Sequence, residues 1–239
     1  MSDGLLPALG YALLAGLAIL AGAGLARYER LLPGWLDTEL RHAVNALVGG
    51  VLLAAVALVL VPHGTDVLSP LWVVVGLTGG GLLFLVIDRA LAATGAQLSV
   101  LMAMLLDFVP EAMALGALLA TGAPEALLLA ILIGVQNLPE GFTSFRELTT
   151  GKHRTSQRAG LALMAGCALL GPLAALGGLL WLADRPQTLG AITLVASGGI
   201  LYLTFQDIAP AARLRRAWAP PLGAVLGFQI GVIGQMLVG

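Results

Sequence analysis

The chain has 239 residues, of which 59% are hydrophobic and only 10% charged, with a mean hydropathy of +0.96. A soluble domain carries about 25% charged residues, so a chain this apolar cannot cover itself against water, and a lipid bilayer is its expected solvent and first partner. A net charge of −1 with no basic run argues against nucleic acid as a partner, and a single cysteine, Cys167, excludes an internal disulfide.

The first run, "MSDGLLPALGYALLAGLAIL", lacks the basic start of a secretory signal and reads as a first membrane span that is kept. About 20 apolar residues cross the hydrocarbon core as a helix. Breaks at charges, Pro and Gly divide the chain into eight spans, near 4–27, 41–62, 71–94, 97–121, 124–146, 157–183, 187–208 and 218–238. The connections are short, so residues 1–239 are expected to form one all-α transmembrane domain. Glycine clusters such as "GLTGGG" at 76–81 have no strand-turn-helix context, so they point to close helix packing rather than to a nucleotide loop.

Arginine and lysine alternate with these loops. Loops one, three, five and seven hold Arg27, Arg30, Arg41, Arg89, Arg146, Lys152, Arg154, Arg158, Arg213, Arg215 and Arg216, while the even loops hold only Arg185. The positive-inside rule then predicts cytoplasmic odd loops, both termini outside and a multi-pass protein of the cell membrane.

Most acids fall near span ends, where water reaches them. Asp107, Glu111 and Glu140 fall near mid-span, and Asp207 closes span seven. On insertion scales each charge at the bilayer centre costs roughly 2.5–3.5 kcal/mol. No Lys or Arg lies in mid-span to offset that cost. Protons or a bound cation remain.

Span four reads "LLDFVPEAM" and span five "GVQNLPEGF". Asp107 and Glu111 are four apart and share a helix face, as do Gln136 and Glu140; Asn137 is three before Glu140. Pro110 and Pro139 each precede a glutamate, and each is expected to kink its helix and release a carbonyl. Carboxylates, amides and carbonyls at one depth suit a divalent cation. The plainer reading is a proline kink with a protonated glutamate hydrogen-bonded to a neighbour. In "LYLTFQDIAP" of span seven, Gln206 and Asp207 either extend an ion path or cap the helix. Asn45 and Gln229 are read as interhelical hydrogen-bonding residues. No nucleophile has a base nearby, so no enzymatic activity and no tightly bound cofactor are expected.

These motifs resemble the ZIP (Zrt/Irt-like) family of divalent metal transporters. "QNLPEG" at 136–141 is close to the span-five motif of its bacterial GufA-like branch, and "SGGILYLTFQDIAP" at 197–210 resembles its span seven. The resemblance implies an inverted repeat of spans one to three and six to eight around spans four and five. It also implies transport of zinc, iron, manganese or a similar ion toward the cytoplasm, an elevator-like movement of one helix group, and frequent homodimers. The expected site is Asp107, Glu111, Gln136, Asn137 and Glu140, with Gln206 and Asp207 on the pathway.

The chain also departs from the family. Where span four usually reads His-Asn-x-Pro-Glu-Gly, this chain has Asp107, Phe108, Val109, Pro110, Glu111 and Ala112, and span six has no acid. One metal position rather than two is therefore expected, leaning toward harder ions than zinc. The alternative is a degenerate relative that no longer transports metal.

Overall fold

A computed structural model describes residues 2–28, 39–94, 99–150, 154–214 and 218–238. Of the loop charges above, Arg30, Lys152, Arg215 and Arg216 lie outside the described residues. The described residues form helices and no strands. In chain order they are α1 (Ser2–Arg27), α2 (Arg41–Val67), α3 (Pro70–Thr94), α4 (Ser99–Thr121), α5 (Glu125–Thr149), α6 (Gln157–Leu182), α7 (Pro186–Ala212) and α8 (Leu222–Val238). Seven are long and apolar enough to cross a membrane; α8 is equally apolar but has 17 residues. The helices agree with the spans read from sequence to within a few residues, except that α2 and α7 run further.

The overrun has a local cause. A π-helical turn, Val56–Leu60 in α2 and Thr204–Ile208 in α7, stands directly before Val61–Pro62 and Ala209–Pro210. Proline has no N–H, and its ring crowds the carbonyl four residues back. The wider turn changes the local bonding register, and the helix continues for another turn.

Close approach of backbones then sorts the helices into pairs. A Cβ at Gly22 would strike the Leu138 carbonyl and one at Gly141 the Ile19 carbonyl, so α1 and α5 are interlocked. Gly116 and Gly178 do the same for α4 and α6, meeting the carbonyls of Ala175 and Met113. Gly80 and Gly198 interlock α3 with α7, and Gly50 and Gly227 interlock α2 with α8. Gly16 against the Ala168 carbonyl joins the first two pairs into one group, α1, α4, α5 and α6. Gly64 and Gly76, both packed on the Leu194 side chain, join the other two as α2, α3, α7 and α8. Among the described residues no glycine sets a backbone of one group against a backbone of the other. The one glycine contact across the boundary is Gly234 on the Leu128 side chain.

α4 and α5 lie at that boundary, packing on α7 and α2 respectively. A tight turn joins them. Gly122 has φ of +71°, a conformation that glycine adopts without steric cost. Its N–H donates to the Leu119 carbonyl, and that of Ala123 to Leu118. The turn makes α4 and α5 antiparallel neighbours and brings their polar motifs to one depth.

Candidate cation site

Both motif helices run unbroken through Pro110 and Pro139. Glu111, Gln136 and Asn137 are fully buried, Asp107 is nearly so, and Glu140 is partly buried. Gln136 Nε2 donates to Glu111 Oε2 at 2.6 Å, a direct polar bridge between α5 and α4. Asp107 turns back on its own helix, where its Oδ1 accepts from the Phe108 amide at 2.7 Å. Asp107, Glu111 and Glu140 lie close enough for each charge to act on the next.

The oxygens that remain are the informative ones. Glu111 Oε1, Gln136 Oε1 and Glu140 Oε2 are buried acceptors with no donor. Buried acceptors without partners are uncommon in folded proteins and cost free energy. Here three come from two facing helices. They suit a small cation or protons. Among the described residues no three His, Cys, Asp or Glu side chains stand in an arrangement that holds a metal ion. The Gln136 amide oxygen is the further oxygen that stands beside these acids.

Asn137 behaves differently from its neighbour. Its Nδ2 donates to the Ala15 carbonyl of α1 at 2.9 Å. Its Oδ1 has no donor, but the side chain is tied to α1, whereas Gln136 bridges to α4. Successive helix residues are rotated by about 100°, so Gln136 and Asn137 reach different neighbouring helices, although both border the face of Glu140. Phe108 also points elsewhere. Its ring fills the space over Gly171 on α6, where an added Cβ would be 2.5 Å from Cζ.

A vestibule of about 410 Å³ reaches the site at Asp107 and Glu140; Glu111 and Gln136 lie behind its lining. Asp107, Glu140, Met104 and Ser144 line it, together with Asp88 of α3, Glu147 of α5, and Gln206 and Asp207 of α7. Glu147, Gln206 and Asp207 are exposed, whereas Asp107, Met104 and Ser144 are buried, so polar groups extend from surface to interior. The Asp88, Glu147 and Asp207 side chains lie near the C-terminal ends of α3, α5 and α7. The clustered carboxylates favour cations at the mouth. Tyr202 Oη donates to Asp88 Oδ2 at 2.9 Å and fixes that carboxylate.

The vestibule thus gathers Gln206 and Asp207 with Asp107 and Glu140. Asn45, read from sequence as an interhelical bonding residue, also lines it. Sequence reasoning left Asp88 and Glu147 as ordinary span-end acids. The available signal was that both, like Asp207, close odd-numbered spans and so fall at one end of the bundle. The Tyr202 contact and the Met104–Ser144 pair, with Ser144 Oγ donating to Met104 Sδ at 4.0 Å, had no comparable signal.

No family model matches the chain, and no curated protein matches it.

Proposed function

We propose that this protein is a ZIP-type transporter that carries divalent metal cations toward the cytoplasm through a site between α4 and α5. One observation carries the reading: unpartnered buried oxygens of Glu111, Gln136 and Glu140, beside an acid-lined vestibule. Glu111 and Glu140 are the anionic core, Gln136 supplies an amide oxygen, and Asp107 lines the vestibule together with Glu140. With three ionised acids and one dication the site keeps one negative charge, so a proton on one carboxylate is part of the reading. The vestibule opens at the helix ends that the arginine pattern assigns to the cytoplasm, which makes it the exit in this state.

The glycine pairs support the inverted repeat. Exchanging α1 with α6, α2 with α7, α3 with α8 and α4 with α5 turns the α1–α5 pair into α6–α4 and the α3–α7 pair into α8–α2. Each product is an observed interlock. The exchange also maps the π turn before Pro62 onto the π turn before Pro210. Eight spans leave both termini on one side of the membrane, and the arginine pattern supports the outside. Phe108 over Gly171 and the acid-free α6 support a single metal position rather than two.

A second reading, a ZIP-like protein that binds or senses without transporting, is favoured by the dispersed carboxylates. Uptake of Zn2+, Mn2+, Fe2+, Cd2+ and Mg2+ into tight proteoliposomes separates the two. Transport predicts saturable uptake that Glu140→Ala abolishes at equal protein content. Absence of uptake, with a metal-dependent rise in melting temperature that Glu140→Ala removes, would favour the second reading; binding alone stabilises by RT ln(1 + [L]/Kd).

A further inference from the structure

A groove of about 1030 Å³ lies behind the vestibule, on the other side of one wall. The wall is α2 and the π turn of α7. Gly49 and Leu53 line the groove on α2, while Asn45 and Val48 line the vestibule. On the π turn Phe205 faces the groove, Gln206 and Asp207 face the vestibule, and Ile208 borders both. The wall is thin at Gly49, where an added Cβ would be 3.3 Å from Ile208 Cγ2.

The groove is apolar in its depth and charged at its rim. Arg213, just past the end of α7, lines it and is exposed. Among the described residues no hydrogen bond or ion pair occupies the Arg213 guanidinium. Trp218, also lining it, is 93% exposed. Tryptophan and arginine at the end of an apolar helix sit at the level of lipid headgroups. An occupant that matches this layout has hydrocarbon below and an anion above.

We propose that the groove binds one anionic phospholipid, with its acyl chains along Leu53 and Phe205 and its phosphate at Arg213. A zwitterionic lipid offers the same phosphate beside a cation that opposes Arg213, so the charge selects the anionic class. The binding does not rest on the transport reading. Its consequence does: the occupant presses on the π turn that presents Gln206 and Asp207 to the vestibule, and thereby modulates passage.

The test is native mass spectrometry of the delipidated full chain in detergent, equilibrated with phosphatidylglycerol or phosphatidylcholine of identical acyl chains. Wild type should retain one phosphatidylglycerol in preference. A basic residue near an anionic lipid surface contributes about 1 kcal/mol, so Arg213→Gln should weaken phosphatidylglycerol retention about fivefold and leave phosphatidylcholine unchanged. Ala209→Trp fills the groove from an exposed position and should reduce retention of both lipids. Equal retention of the two lipids by wild type overturns the proposal, as does indifference of phosphatidylglycerol retention to Arg213→Gln. Conversion of a dimer to a monomer by Ala209→Trp, with lipid retention intact, overturns it in favour of a second copy in the groove. Because the readout is mass, a failure of metal uptake leaves the result interpretable.

Discussion

Gln136 and Asn137 are adjacent and chemically alike, yet one bridges α5 to α4 and the other ties α5 to α1. Gln136→Ala should therefore weaken metal binding and raise the KM for uptake. Asn137→Ala should leave KM near the wild-type value and lower stability by an amount on the order of 1 kcal/mol. Metal titrations and thermal denaturation of the two variants check this split. A shared loss of metal affinity would return Asn137 to the ligand set. The sequence already held half of this distinction, because adjacent helix residues point about 100° apart and so cannot both reach the same neighbouring helix. It did not hold the other half. α1 is apolar all round, so nothing in its pattern shows which face waits for an asparagine.

At the scale of elements, glycine decides which helices touch. Gly141→Val places a branched side chain against the Ile19 carbonyl. Overpacking of this kind costs roughly 1–3 kcal/mol, and thermal denaturation in detergent should record it as a clear loss. Gly134, in the same helix, has nothing within 4 Å of an added Cβ. Gly134→Ala should be neutral or slightly stabilising, since alanine is the better helix former by about 1 kcal/mol. The limits of the helices were legible from charge and proline. Their partners were not. A small residue marks a close approach without saying to what, and the interlocks at Gly80 and Gly198 join helices more than a hundred residues apart. The π turns were equally hidden, because a proline near a helix end ordinarily signals its termination.

For the whole molecule, the boundary between the two helix groups is the mechanical question. If one group moves against the other, joining them should stop uptake. Leu128 and Gly234 face each other across the boundary, whereas Thr149 and Gly160 lie together inside one group. In a Cys167→Ala background, cross-linking Leu128→Cys to Gly234→Cys with a short bifunctional thiol reagent should arrest uptake, and reduction or omission of the reagent should spare it. Cross-linking Thr149→Cys to Gly160→Cys should have little effect. Equal uptake by both cross-linked proteins would argue for passage through a rigid bundle. The composition announced a membrane bundle, and the arginine pattern gave its expected orientation. The division into two groups was not legible, because it lies in backbone contacts between residues far apart in the chain.

The interlocks also bear on biogenesis. α2 and α3 leave the ribosome well before α7 and α8, the helices their glycines fit. At roughly 5–20 residues per second, that interval is on the order of ten seconds or more. During it the flat faces at Gly50 and Gly80 have only lipid or a temporary companion against them. α1 likewise waits for α5. The nascent protein must hold several open seams in the bilayer at once, and the seam of α2 stays open until α8 arrives, after α5 has already closed that of α1.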